Sequence, residues 1–466
     1  MNLQKLKREW LKLENDKVQE KRKYKQFNYR VKNISEKLAQ KIWEPAFVAG
    51  YSFYPFIKYY DIQRKCKRDP KTSKIYISKK ERPICLTGHK ESIIVSWYAH
   101  LLSHIYEIWM KKYNLENEVI AYRSIEGKSS YNFASDVFNF CKKQKESVIL
   151  TYDIKGFFDN LDHKIIKKLW VKLLKEVDIE NSHNGLPKDH YAVYKYMTSY
   201  SFVNINDVYS ALGLKKKDLR AMLRLCSEDD FHQKIQRKGK DKSLIQSNKP
   251  SLGKRGFGIP QGAAISAVLS NMYMIDFDRL VSTNVKKIGG LYRRYSDDIV
   301  VVVPTEHYKK TNQSINNIIS KILLELEPTK TTITKVKLNK DNNCSCYDLN
   351  GKNVSVPYLG VEWDGKKILL RGKTLARYHR RMSKAVYTVA KNAQLRGQKY
   401  IPKRRLYEAF TGYGKSNFQS YVLRAGKGIK SKELIRQISK HKAMQHLKKK
   451  IKKTISKLKN EPKKSS

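Results

Sequence analysis

The run Tyr292-Arg293-Arg294-Tyr295-Ser296-Asp297-Asp298-Ile299-Val300-Val301-Val302-Val303 constrains this chain more than any other. The β-branched residues after Asp298 read as a buried strand and Gly289-Gly290-Leu291-Tyr292 as its partner, with Ser296-Asp297 where a tight turn reverses the chain. An Asp-Asp pair at a turn is in most proteins simply solvated. Here it abuts an unbroken core-type run, where two carboxylates are costly to bury unless a cation or hydrogen bonds compensate them. A divalent metal is therefore the natural partner. One hairpin cannot hold a metal pair alone, so a third carboxylate is required.

Val148-Ile149-Leu150-Thr151-Tyr152-Asp153 supplies it, an apolar strand ending in an acid. The next residues, Ile154 to His163, turn into a helix carrying Ile165, Ile166, Leu169, Trp170 and Leu173. Asp159, Asn160 or Asp162 can each cap that helix, which is reason enough for a polar residue there. Asp153 has no such reason; it closes a buried-type strand. Between the two acidic elements, Gly256-Phe257-Gly258-Ile259-Pro260-Gln261-Gly262-Ala263-Ala264-Ile265-Ser266 feeds small residues into a helix with Ile265, Val268, Leu269 and Met272 inward.

Charge narrows the partners. Lys and Arg number 96 against 43 Asp and Glu in 466 residues, a formal charge of +53 spread from end to end. Such an excess calls for a polyanion, and nucleic acid is favoured over a membrane because no apolar run approaches the ~20 residues of a spanning helix. The N-terminal residues show no signal-peptide pattern, and a cytoplasmic protein is expected. Cys66, Cys85, Cys141, Cys226, Cys344 and Cys346 are scattered, lack zinc-knuckle spacing and read as reduced and structural.

The rest of the chain falls into order around these elements. Leu3, Leu6, Trp10 and Leu13 mark an amphipathic opening helix, packed on the body or on a partner. Tyr51 to Tyr60 followed by Arg64 to Arg68 interleaves aromatic and basic residues, a pattern that suits stacking on unpaired bases and equally suits an aromatic core edge beside a solvated loop. Asp69-Pro70 and Lys71-Thr72 mark a turn. Lys74 to Ser78 alternates like a strand and leads into Lys79-Lys80-Glu81-Arg82-Pro83-Ile84, so two strands joined by basic residues can clamp a triphosphate. A helix from Ile93 to Tyr106 follows. The basic element Ala121 to Ser130 opens another; its Gly127-Lys128-Ser129 is no P-loop, because the spaced upstream glycine is missing. Residues 176–253 read as an insertion with a helical middle and a Lys-rich exit. After Trp363-Asp364-Gly365 the chain is helical and basic, with Leu434, Ile438, Met444, Leu447, Ile451, Ile455 and Leu458 at 3-4 spacing.

In order and spacing these segments resemble the reverse transcriptase palm. Asp153 with an aromatic five residues on is similar to its first catalytic motif, Ile259 to Ser266 to its template- and nucleotide-positioning motif, and Tyr295-Ser296-Asp297-Asp298 to its catalytic hairpin. Leu326 to Thr331 is similar to the lysine-bearing motif and Tyr358-Leu359-Gly360-Val361 to the primer-grip turn. The resemblance covers residues 75–385 and implies an α+β right-hand fold. Its expected divisions are an N-terminal extension (1–70), fingers (71–147), a palm (148–365) interrupted by the 176–253 insertion, and a basic helical thumb (366–466) that grips the template-primer duplex. It implies two magnesium ions, with manganese as a substitute, bridged by the catalytic residues Asp153 and Asp297, Asp298 being the third, more structural acid. Phe158 falls at the steric gate that excludes a 2′-hydroxyl. Arg82, with Lys79 or Lys80, holds the triphosphate; Gln261 lines the nucleotide and template site; Lys330 protonates pyrophosphate; Leu359 and Gly360 form the primer grip; Arg123 and Lys128 contact nucleic acid in the fingers.

Within the superfamily, Pro-Gln-Gly, Ile-Ser-Ala and Leu-Ser-Asn between Pro260 and Asn271 are most similar to bacterial defence-associated, unknown-group reverse transcriptases. That similarity implies antiphage defence, a structured noncoding RNA as template, dNTPs as substrates, a cDNA product, no membrane and room for an oligomer. Two other readings stand beside it: a template-independent or protein-primed DNA polymerase, and an RNA-binding helper like a reduced intron maturase, for which the acids would be dispensable.

Overall fold

The computed structural model describes residues 2–19, 24–69, 72–123, 125, 128–179, 184–215, 218–237, 243–248, 256–398 and 400–459. Pro70 and Lys71 of the expected turn, Ser124, Glu126 and Gly127 of the basic element and most of the Lys-rich exit loop lie outside the described residues.

The chain opens with α1 (Leu3–Gln19), whose buried Leu6 and Trp10 face the body. Trp10 meets Trp43 and Trp97 edge to face at 5.9 and 5.6 Å and donates its indole N–H to Ser96. The helix therefore packs on the protein itself. α2 (Glu36–Trp43), capped by Ser35, and α3 (Pro45–Ala49), with proline in its first turn, lead into β1 (Phe56–Arg68) and β2 (Ile75–Leu86). These strands form a long antiparallel hairpin, with β1 and β2 in one sheet. α4 (His89–Lys112) is apolar nearly all round and runs buried through the body. α5 (Ser130–Lys142) follows.

The central sheet holds the acidic elements. β3 (Glu146–Asp153) is followed by α6 (His163–Glu176), capped by Asp162 as the sequence allows. The 176–253 region contains α7 (Lys188–Thr198), β4 (Ser201–Asn204), α8 (Ile205–Ala211), a short α9 (Glu228–Asp230) and β5 (Gln246–Ser247). It does not stand apart: β4 pairs in parallel with β1, giving the order β2-β1-β4-β5, and Val203, Val208, Phe231 and Ile235 share a small core with Ile57. Next come α10 (Ala264–Tyr273), α11 (Ile275–Lys287), β6 (Leu291–Tyr295), β7 (Asp298–Val303), α12 (Tyr308–Lys321), β8 (Thr332–Leu338) and β9 (Cys344–Tyr347). The sheet order is β6-β7-β3-β8-β9, antiparallel throughout.

The apolar run of β7 is explained by burial on both faces. Ile299, Val301 and Val303 enter the core beneath α4 and α10, whereas Val300 and Val302 enter a second core shared with α5 and the C-terminal helices. At about 1.5–3 kcal/mol per buried aliphatic side chain, this strand anchors whatever its tip presents. A three-stranded sheet, β10 (Val356–Tyr358), β11 (Val361–Trp363) and β12 (Ile368–Leu370), precedes the helices α13 (Gly372–Leu395), α14 (Arg404–Phe410), α15 (Phe418–Gly428), α16 (Lys432–Gln437) and α17 (Lys440–Lys459). The 3-4 spacing from Leu434 to Leu458 spans two helices, with a break at Ile438, whose φ is −128°. Among the described residues no helix is long and apolar enough to cross a membrane.

Candidate active site

Strand pairing brings the three acids to one edge of the sheet. Asp153 lies directly opposite Asp298 across β3 and β7, and Asp297 stands in the two-residue turn between β6 and β7. Ser296 takes up the reversal with φ 60°. The Asp297 carbonyl accepts from the Ile154 N–H at 3.2 Å, and the Asp153 carbonyl accepts from the Glu327 N–H at 2.8 Å, so both acidic segments are pinned by backbone. Lys330, in the turn before β8, sets its ammonium against the Asp153 carboxylate.

Beneath the turn is a support the sequence reading missed. Arg294 is fully buried and forms a bidentate pair with buried Asp278 of α11, both bonds 2.7 Å. Its remaining donor reaches the Asn271 side chain at 3.2 Å and the Ser296 carbonyl at 3.1 Å. Tyr292 donates to Asp278 at 2.5 Å, and Asn271 donates to the Ala121 carbonyl at 2.9 Å. Tyr122 meets the Ser296 hydroxyl at 3.2 Å from the other side. The signal was the strand period: Tyr292 and Arg294 alternate with Arg293 and Tyr295, so one arginine of the pair had to point inward.

Electrostatically the tip is short of positive charge. Burial, then the Asp153 charge, raises the Asp297 carboxyl above its usual range. Burial, then Asp297 and Asp153, pushes Asp298 up to about 6, though its side chain keeps contact with solvent; Lys330 and Arg371 offset only part of this. Among the described residues no three His, Cys, Asp or Glu side chains are gathered into a ready-made ion cage. The donor set nevertheless fits hard divalent cations: the donors are carboxylate oxygens, opposed in register, whose mutual repulsion a cation would relieve.

Three further segments, the turn after β3, the Gly258 to Gly262 loop and β2, are zipped together by backbone hydrogen bonds. Gly156 in the left-handed region starts a short turn, Phe157–Asp159, in which Phe158 is half-buried and meets Phe157 edge to face at 5.5 Å. The Phe158 and Leu161 carbonyls accept from Ile259 and Gly258, both at 2.9 Å. The Gln261 carbonyl accepts from the Cys85 N–H of β2 at 2.8 Å. Gly262 has φ +116°, and a Cβ there would stand 2.7 Å from the Cys85 carbonyl oxygen, so the residue must be glycine. Arg82, Lys80 and Lys79 are exposed on β2. Alternation puts Arg82 and Lys80 on one face and Lys79 on the other.

Two more expected sites lie towards the helices. Leu359 and Gly360, both at positive φ (44° and 90°), make the tight turn between β10 and β11, with the Tyr131 ring alongside. Arg123, expected to contact nucleic acid, is instead committed inside the protein. Its guanidinium forks onto Glu107 at 2.7 and 2.6 Å and donates to the Glu116 and Val119 carbonyls, leaving the side chain 6% exposed. Lys128 is half-exposed, 3.5 Å from Asp136.

Residues 69–363 match the family model described as reverse transcriptase (RNA-dependent DNA polymerase). No curated protein matches in sequence. Among solved structures, apo telomerase from Candida tropicalis truncated from its C-terminal domain aligns at 12% identity and a TM-score of 0.39, covering 66% of this chain and 55% of that one. Telomerase from Candida albicans with a TWJ fragment of telomeric RNA aligns at 12% identity and a TM-score of 0.39, covering 89% of this chain and 64% of that one. The chain thus spans less than two thirds of the length of either.

Proposed function

The chain belongs to the reverse transcriptase (RNA-dependent DNA polymerase) family, and from that premise we propose that it extends a primer 3′ end with deoxynucleotides copied from an RNA template. The observation that carries this is the register of Asp153 against Asp298, with Asp297 between them and Lys330 on Asp153, at the mouth of a turn that presents Phe158.

In this reading Asp153 and Asp297 hold two magnesium or manganese ions, and Asp298 shapes the field around them. Such ions supply the Lewis acidity that activates a 3′-hydroxyl and neutralises a departing pyrophosphate. Arg82 and Lys80, on one strand face, pair with triphosphate oxygens, the planar guanidinium in bidentate fashion. Lys79 lies on the opposite face and serves the approach of the nucleotide. Phe158 sets a flat apolar wall under the sugar and leaves no room for a 2′-hydroxyl. The Gln261 segment, tied to β2 by its carbonyl, holds the templating base and the nucleotide in line. Lys330 gives its proton to pyrophosphate. The Leu359-Gly360 turn steadies the primer end, Lys128 contacts the strand entering the fingers, and the basic helices α13 to α17 grip the duplex backbone.

The finer part of the proposal is that the chain acts in the cytoplasm as a bacterial defence-associated enzyme, copying a structured noncoding RNA into cDNA. It is supported by the Pro260 to Asn271 pattern and by the +53 charge. Primer extension on an RNA template of defined sequence tests the activity. Asp297→Ala is expected to abolish incorporation while RNA affinity stays within about twofold; full activity in that variant would remove the assignment.

A further inference from the structure

A cleft of about 470 Å3 opens between the end of α3 with the segment after it and one face of α7. It shares no lining residue with the carboxylate site. Its outer wall is Tyr51 and Phe53, from the aromatic-basic stretch that the polymerase site leaves unused. On α7, Lys188, Tyr191, Ala192 and Lys195 line it at i, i+3, i+4 and i+7, a single helix face with a tyrosine bracketed by two lysines.

The wall is pre-organised. Phe53 stacks on Tyr196 at 4.3 Å and 24°, Tyr196 stacks on Phe56 at 4.5 Å and 14°, and the Tyr51 hydroxyl is tied to buried Glu91 at 3.2 Å. Tyr196 lines the cleft, is 7% exposed, and its buried hydroxyl has no hydrogen-bond partner among the described residues. Tyr191 is 42% exposed; its ring stacks on Tyr194 at 6.0 Å and 23°, and the Lys167 ammonium lies 5.3 Å from its centroid. Among the described residues Lys188 and Lys195 are exposed and make no ion pair, and no carboxylate lines the cleft. Tyr51 and Phe53 are half-buried against the main core, which fixes the aromatic wall while leaving part of it bordering the cleft. Flat apolar faces flanked by unpaired cations match a base with its phosphates.

We propose that this cleft holds an unpaired nucleotide strand, one base stacking between Tyr191 and the Tyr51-Phe53 wall, with the neighbouring phosphates on Lys188 and Lys195. The strand would lie close to the nucleotide-positioning loop. Asn248 donates its backbone N–H to the Tyr200 carbonyl at the cleft edge at 2.8 Å, and its side-chain amide reaches the Phe257 carbonyl at 3.5 Å. The cleft is thus a second nucleic-acid site that keeps a strand near the palm between incorporation events.

The test is fluorescence anisotropy of the full chain, without dNTPs or metal, with a labelled unstructured RNA 12-mer, the same sequence as DNA, and a blunt RNA duplex. Because no synthesis is needed, failure of the polymerase reading leaves this result intact. Tyr191→Ala is expected to weaken single-strand binding about tenfold, the size of one stacked base, with Tyr191→Phe unchanged and duplex affinity unmoved. The double variant Lys188→Ala/Lys195→Ala should flatten the slope of log affinity against log salt by about 1.4, two phosphates on a single strand, whereas the Lys309→Ala/Lys310→Ala control on α12 should not. Tighter binding of RNA than of DNA identifies the template as occupant, and the reverse identifies the product; either supports the site. Wild-type single-strand affinity in both cleft variants, equal loss on strand and duplex, or an acidic peptide competing as well as the 12-mer would overturn it.

Discussion

Cutting the Arg294 guanidinium back to an apolar side chain would leave Asp278 buried without its charge partner, and the Ser296 carbonyl without its donor. Arg294→Met is therefore expected to cost about 3–5 kcal/mol in denaturant unfolding, the usual penalty for orphaning a buried charge. Replacing both partners with apolar residues of similar volume should recover much of that stability, while incorporation stays impaired because the turn has lost its prop. A second residue-scale prediction concerns selectivity: Phe158→Val should raise ribonucleotide incorporation relative to deoxynucleotide, read as a ratio of kcat/KM values, and an unchanged ratio would remove the gate. Residues differ in how openly they declare themselves. Asp153 was legible because an acid that closes an apolar strand has no local excuse. Arg294 was not, because Arg293-Arg294 between two tyrosines reads as an exposed basic approach until a partner appears on α11. The partner of Arg123 is hidden in the same way, since Glu107, which takes its fork, comes from the preceding helix α4.

At the scale of elements, the junction of β2 with the Gly258 to Gly262 loop is the least tolerant place in the site. Gly262→Ala forces a side chain into a left-handed backbone position against the Cys85 carbonyl. It is expected to raise the dNTP KM several-fold, because the Arg82 strand and the Gln261 loop can no longer dock together, while RNA binding holds. α7 offers a different handle. His190 is buried and accepts the Trp170 indole N–H at 3.1 Å, and burial pulls its imidazole down to about 4. The neutral ring is the folded form, so its contribution is full above the unfolded value of about 6.5 and is lost as the pH falls towards about 4. The stability gap between wild type and His190→Phe, measured by urea unfolding, should accordingly narrow by up to about 3 kcal/mol between pH 7 and pH 4; a constant gap would contradict a neutral buried imidazole. The β6-β7 hairpin could be read directly because period-2 burial and a two-residue turn leave few alternatives. The 176–253 region could not: β4 is four residues long, and its parallel pairing with β1 joins residues far apart in sequence. The break at Ile438, by contrast, has a mark in the sequence: Met444, the next residue of the apolar series, comes six positions on instead of three or four.

Over the whole molecule, the acidic edge lies where the two cores meet. β3 and β7 send alternate side chains to both, so that edge is anchored in two cores at once. The formal charge of the whole chain is +53. RNA affinity is expected to fall by roughly 10³–10⁵ between 50 and 200 mM salt if six to ten phosphates are neutralised, a dependence that titration at several salt concentrations measures. The order of short motifs made the family legible; composition raises the expectation of a polyanion partner and names none.

The measurement that tests the central claim most directly is to purify the protein with the RNA it carries, supply magnesium and labelled dNTPs, and sequence both RNA and product beside Asp297→Ala. The account predicts DNA complementary to a discrete copurified RNA, absent in the variant although the RNA is retained. Homopolymer unrelated to that RNA, or equal product from the variant, would contradict it.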